Sequence, residues 1–172
     1  MDESSKHQRR IDLSSPELNK YFWTHLNKVY CAKRHLLSQL PQVADIAKFS
    51  GLKDVIAATT SDVARQLQRI EQIYVLLDQT YHDEECRGLI GLIDEVFGNV
   101  DKEHGNKKLQ DMAIIYYLQN IESLEMASLQ TLQLAAVKFG NEAVNALLKE
   151  TFNDIKGERD MLLLLSAKYL TN

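Results

Sequence analysis

Apolar residues recur at alternating spacings of three and four along four long segments, at roughly 15–48, 52–80, 107–139 and 141–170. This spacing places the apolar side chains on one face of an α-helix. No alternating run bounded by turn residues indicates a strand. We call each row of positions at this spacing a seam, including the few polar residues that fall within it. The four seams, in chain order, are Phe22, Leu26, Val29, Lys33, Leu36, Leu40 and Val43; Ile56, Thr59, Val63, Gln66, Ile70, Ile73 and Leu77; Ile115, Leu118, Glu122, Glu125, Leu129, Leu132 and Ala136; and Val144, Leu148, Thr151, Ile155, Glu158, Leu162, Leu165 and Tyr169.

Turn and capping residues mark the ends of these segments. The run 14–17, Ser-Ser-Pro-Glu, predicts a helix start, because the serine can cap, the proline suits the first turn and the glutamate can reach back. Gly140 followed by Asn141 predicts the end of one helix and the cap of the next. Pro41 lies late in the first segment, where a proline should kink or restart the helix.

The four helices together predict one all-α domain, a four-helix bundle over residues 13–172. The stretch 78–106 holds four of the seven glycines and is long enough to cross over between two helical hairpins. Residues 89–100 within it predict a short extra helix. Residues 1–12 are expected to form a flexible N-terminal tail.

Composition narrows the class of protein. The 172 residues are 45% hydrophobic and 26% charged, enough for one packed core. Lys and Arg number 20 against 24 Asp and Glu, a net charge of -4 without a basic block, which argues against nucleic acid as a partner. No apolar run reaches the roughly 20 residues of a membrane span. Without an apolar leader the expected location is cytoplasmic, with Cys31 and Cys86 as reduced packing residues.

The seams turn polar at the middle of the predicted helices. Charged groups in a core are costly unless they pair with each other or hold a metal. Glu122 and Glu125 are three residues apart, so their carboxylates leave the same helical face and repel unless a cation or a proton lies between them. The polar seam residues are Lys33, Gln66, Glu122, Glu125 and Glu158.

Three interpretations of this layer remain open from the residues alone. It could be a dimetal carboxylate site, although no Glu-x-x-His pair of the kind such bundles use is present. It could be a buried ion-pair network in which Lys33 neutralises Glu122 or Glu125. It could also be a slightly rotated seam whose polar side chains reach water at its edge.

Five short motifs, in the same order, resemble the YciE/YciF-type stress proteins, which are ferritin-like bundles. Residues 30–41, Tyr-Cys-Ala-Lys-Arg-His-Leu-Leu-Ser-Gln-Leu-Pro, are similar to that family's Tyr-x-Ala-Glu-Lys-Gln-Leu-x-x-x-Leu-Pro. Residues 66–70, Cys86 with 91–93, 122–127 and 148–151 resemble its second helix, crossover, third helix and fourth helix. The resemblance spans about residues 17–169 and implies a ferritin-like fold, a homodimer and descent from dimetal proteins.

The resemblance also implies where the family's metal ligands would fall in this chain. Lys33 stands in place of a first-helix glutamate, and Asp62 in place of a second-helix glutamate. Glu122 and Glu125 match the third-helix pair. Ile155 and Arg159 occupy fourth-helix positions where the pattern is acidic. The vestigial positions are therefore Lys33, Asp62, Gln66, Glu122, Glu125, Ile155 and Glu158.

These substitutions lead to an expected function. A dimetal site needs several carboxylates to offset about four positive charges, and here a cation has entered at Lys33. We therefore expect a non-catalytic, stress-related ferritin-like protein without a cofactor, whose core holds a Lys–Glu network. The alternative is an iron or manganese oxidoreductase or metal-storage protein that uses Asp62, Glu122, Glu125 and Glu158. A third possibility is an adaptor that works through surface contacts alone.

Overall fold

The computed structural model describes residues 13–82, 86–100 and 105–171. These contain five helices, α1 (Ser15–Ile46), α2 (Ser50–Leu76), α3 (Arg87–Val100), α4 (Lys107–Phe139) and α5 (Glu142–Thr171). The predicted bounds of α4 match the observed ones. The predicted bounds of the other helices differ from the observed ones by one or two residues, except that α2 ends four residues before its predicted end. The predicted flexible tail, residues 1–12, lies outside the described residues.

The predicted caps hold the helix ends. The backbone N–H and the hydroxyl of Ser14 both donate to the Glu17 carboxylate, at 2.8 and 2.6 Å. Gly140 ends α4 in the left-handed conformation with φ 67°, which a side chain would disfavour. The Asn141 side chain then accepts the Val144 N–H at 3.1 Å. Pro41 lies inside α1, which continues to Ile46, so the helix does not restart there.

The four long helices form a bundle in which every neighbouring pair is antiparallel. α1 packs against α2 and α4, and α5 packs against α2 and α4. Phe22 near the start of α1 meets Phe139 at the end of α4, with ring centroids 5.2 Å apart. The crossover therefore runs the length of the bundle, and α3 within it packs on α1 and α4. The predicted all-α four-helix bundle with an extra crossover helix is confirmed.

The predicted seams form the core. Every seam residue is buried except Leu77 and Tyr169, which are half-buried. The apolar core falls into two clusters, one around Leu36, Ile56 and Leu118 and the other around Phe22, Ile70 and Leu148. The polar seam residues lie between these clusters, so a polar layer crosses the middle of the bundle.

The expectation that the two cysteines are reduced packing residues is wrong. Cys31 of α1 and Cys86, directly before α3, form a disulfide with their Cα atoms 6.4 Å apart. Cys86 is buried and Cys31 half-buried. The bond joins residues 55 positions apart, and it fastens the crossover to the side of α1.

Reducing this disulfide should destabilise the bundle. A cross-link over 55 residues removes chain entropy from the unfolded state worth about 4 kcal/mol. We expect no titratable thiol in denatured, unreduced protein, and a lower urea midpoint after reduction. The variant Cys31→Ser/Cys86→Ser should be insensitive to reductant. Two free thiols per chain would contradict the assignment.

Candidate functional site

The polar layer draws side chains from all four long helices. α1 contributes Lys33, α2 Gln66, α4 both Glu122 and Glu125, and α5 Glu158. Their exposed fractions are 0%, 0%, 3%, 6% and 2% respectively. The interpretation in which a rotated seam lets these side chains reach water is therefore wrong.

A chain of hydrogen bonds centred on Lys33 links the helices. Its ammonium Nζ donates to Glu125 Oε2 at 2.8 Å and to Gln66 Oε1 at 2.6 Å. The Gln66 amide in turn donates from Nε2 to Glu158 Oε1 at 2.7 Å. One buried cation and one amide thus connect α1, α2, α4 and α5 through the centre of the molecule.

Glu122 stands apart from this chain. Neither of its carboxyl oxygens has a hydrogen-bond partner among the described residues. Burial, reinforced by the nearby charges of Glu158 and Glu125, raises the pKa of Glu122 to about 9. At neutral pH the group therefore keeps its proton, which removes the repulsion predicted between it and Glu125.

Glu158 also holds a proton near neutral pH. Burial is the largest cause and raises its pKa to about 8, although the Lys33 ammonium acts in the opposite direction. The layer then contains one ammonium, the Glu125 carboxylate paired with it, and two neutral carboxyl groups. It is electrically balanced without any further ion.

Asp62 and the two altered fourth-helix positions lie outside the hydrogen-bonded layer. The Asp62 side chain is 22% exposed and forms an ion pair with Arg65, which also reaches Asp154 at 3.4 Å. Ile155 is fully buried in the apolar cluster around Phe22. Arg159 is exposed on α5. The structure thus brings together five of the seven predicted positions and leaves Asp62 and Ile155 apart.

The residues present do not fit a dimetal centre. The Lys33 ammonium lies within 2.8 Å of the carboxylate that would have to bind a metal ion. Asp62 is engaged by Arg65 at the surface. In the ranges 13–82, 86–100 and 105–171, no group of three or more His, Cys, Asp and Glu side chains is placed to hold a metal.

Comparison with known proteins identifies the family. The chain belongs to the family described as a domain of unknown function (DUF892), whose model matches residues 17–169. Protein YciF of Escherichia coli (strain K12) is 27% identical over 132 residues, covering 76% of this chain and 79% of that protein. The predicted membership of the YciE/YciF-type family is confirmed.

Two solved structures share the fold. The E. coli stress protein YciF matches with a TM-score of 0.85 at 25% identity, over 90% of this chain and 98% of that chain. YcfI from Rhodopseudomonas palustris matches with a TM-score of 0.80 at 23% identity, over 90% and 96%. The second likeness bears on the fold alone.

Sequence reasoning missed another buried carboxylate, Asp111 near the start of α4. It is 2% exposed and accepts the backbone N–H groups of Lys48 and Phe49, at 2.8 and 2.9 Å. The Tyr169 hydroxyl donates to it at 2.7 Å. Its position four residues before Ile115 continues the third seam by one helical turn, and this spacing was the available signal.

Replacing Lys33 by methionine should strongly destabilise the fold. The substitution Lys33→Met leaves the Glu125 carboxylate buried without its cation, which costs about 3–5 kcal/mol. The measurement is the free energy of unfolding by urea near neutral pH. Lys20→Met, on an exposed face of the same helix, serves as the control and should change it by less than about 0.5 kcal/mol.

A double variant shows whether the stability lost in Lys33→Met comes from the unpaired charge of Glu125 or from altered packing. In Lys33→Met/Glu125→Met both partners become apolar, so most of the lost stability should return. Unchanged stability in the single variant would show that Lys33 is not paired in the core.

The stability of the bundle should depend on pH through Glu122. Its native pKa of about 9 lies above its usual value of 4.5. Between these values the native state holds a proton that the unfolded chain has released, so stability falls as pH rises. Glu122→Gln mimics the protonated acid and should remove on the order of 1.4 kcal/mol of this fall per pH unit.

Urea titrations from pH 5 to pH 9 measure this dependence. Glu122→Gln and the natural chain should be similar at pH 5 and diverge above it, with the variant more stable. Glu142→Gln, an exposed site in the first turn of α5, is the matched control. Parallel pH profiles for Glu122→Gln and the natural chain would mean that Glu122 is ionised in the folded state.

Proposed function

We propose that this chain is a non-catalytic, ferritin-like protein whose dimetal site has been replaced by the Lys33-centred network. The observation that carries the proposal is the Lys33 ammonium, which is fully buried and 2.8 Å from Glu125. A buried ammonium and a dinuclear centre compete for the same carboxylates. The layer then acts as a structural element that joins the four helices.

The arrangement of charge supports this proposal. A dimetal centre carries about four positive charges and needs several ionised carboxylates around it. Here Glu122 and Glu158 hold protons, with pKa values of about 9 and 8, and the Glu125 side chain is already paired with the Lys33 ammonium. Divalent metal would have to displace both protons and the ammonium from a closed core.

The proposal includes a stress-related physiological role and assembly as a homodimer. The E. coli relative is named a stress protein, and we assign this chain a stress-related role by that likeness. A homodimer is supported by Leu163, Leu164 and Leu170 of α5, whose exposed fractions are 58%, 67% and 74%. No helix of the described residues is long and apolar enough to cross a bilayer.

Location and nucleic-acid binding stay predictions. The negative net charge still argues against nucleic acid as a partner. Disulfides persist mainly in oxidising compartments, so the Cys31–Cys86 bond weighs against the predicted cytoplasmic location.

The alternative function is an iron or manganese oxidoreductase or storage protein with a modified site. Glu122 favours it, since neither of its carboxyl oxygens has a hydrogen-bond partner among the described residues, and the group could bind an ion once its proton is lost. The other required ligands oppose it, because Asp62 is paired with Arg65 and Glu125 with Lys33.

Metal analysis distinguishes the two functions. Protein purified without chelator, and again after incubation with Fe(II) or Mn(II) and desalting, should contain far less than one metal ion per chain. Two equivalents that disappear in Glu125→Gln would overturn the proposal, because that variant removes a ligand that only the central layer supplies. Unchanged helical circular dichroism in Glu125→Gln serves as the folding control.

A further inference from the structure

A depression of about 520 Å³ lies at the end of the bundle where three chain segments meet. The loop between α1 and α2 contributes Lys48, the start of α4 contributes Lys107 and Lys108, and the last turn of α5 contributes Lys168. We call this depression the lysine pocket. Its volume falls in the range of pockets that bind small molecules.

The described residues that line the lysine pocket carry more positive than negative charge. None of the ion pairs among the described residues includes Lys48, Lys107, Lys108 or Lys168. Among the described residues of the lining, Asp111 is the only carboxylate, so four ammonium groups and one carboxylate give these residues a surplus of three positive charges. This surplus lies on a chain whose net charge is -4.

The Asp111 carboxylate accepts three hydrogen bonds from the protein, and these hold the walls of the pocket in place. Its Oδ1 accepts the Lys48 N–H, and its Oδ2 accepts the Phe49 N–H and the Tyr169 hydroxyl. One buried carboxylate therefore holds the α1–α2 loop and α5 against α4. The lysines project from a backbone that is already ordered, which lowers the entropy cost of binding.

The first turn of α4 carries side-chain charges of the sign that destabilises a helix N-terminus. The N-terminal end of a helix favours acidic side chains, because its unpaired N–H groups carry partial positive charge. α4 has Lys107 and Lys108 in its first turn and no acidic residue there. Local departures from stabilising patterns are expected where a site has another use.

The wall of the pocket also offers an aromatic surface. The Phe49 side chain is 44% exposed, and its ring meets the Tyr169 ring edge to face with centroids 5.6 Å apart. An inorganic anion would satisfy the lysines and leave this surface in water. A ligand with a flat apolar ring beside its negative charges would use both features.

We propose that the lysine pocket binds a small organic polyanion of the nucleoside diphosphate class. The phosphate groups lie among the four lysines, and the ring system lies against Phe49. This site is separate from the polar layer, and its occupancy is independent of whether the layer binds metal.

Isothermal titration of the full chain with ADP at low ionic strength tests the proposal. Saturable binding is expected, and it should weaken as salt is added, because exposed ion pairs are screened. Adenosine and inorganic pyrophosphate are the partial probes, and each should bind at least about tenfold more weakly than ADP. Absence of saturable ADP binding at millimolar concentration would overturn the proposal.

Matched variants locate the bound groups. Lys107→Ala/Lys108→Ala should weaken ADP binding about tenfold or more without lowering the melting temperature, since it removes unfavourable charges from a helix start. Lys149→Ala, exposed elsewhere on α5, is the control and should bind ADP normally. Phe49→Ala keeps the backbone N–H that Asp111 accepts, and should weaken ADP binding while leaving pyrophosphate binding unchanged. Equal ADP affinity in all three variants would place binding elsewhere and contradict the site.

Discussion

The rest of the structure depends on one buried ion pair, between Lys33 of α1 and Glu125 of α4. An ammonium with no exposed surface is tolerated only if its charge is matched and its hydrogens are accepted. Glu125 supplies the charge and Gln66 a second acceptor, and Gln66 carries the connection on to Glu158. The two apolar clusters pack on either side of this layer, so its register aligns all four helices.

Protonation of Glu122 and Glu158 prevents the layer from holding two further negative charges beside the Lys33–Glu125 ion pair. Three carboxyl groups share the layer with a single cation, and the low polarity of the core resolves the excess by keeping Glu122 and Glu158 neutral. Three glutamates can thus share this core with one lysine. The chain shares its family and its fold with YciF, and Lys33 is the cation at the centre of its interior.

Helical periodicity was enough to predict the bundle, because nearly every seam residue is buried as its spacing indicates. It also placed Lys33 and the glutamates in one layer. It could not choose between Glu122 and Glu125 as the partner of Lys33, since that choice depends on how α1 and α4 are aligned. The Cys31–Cys86 bond and the partners of Asp111 escaped prediction for the same reason, as both join segments far apart in sequence.

A crystal structure of the protein grown with excess Mn²⁺ and measured with anomalous scattering tests most directly whether Lys33 has taken the place of metal. No anomalous peak is expected in the polar layer, and the density for the Lys33 side chain should be continuous and reach between Glu125 and Gln66. An anomalous peak bridging Glu122 and Glu125, with Lys33 displaced from the layer, would contradict that replacement.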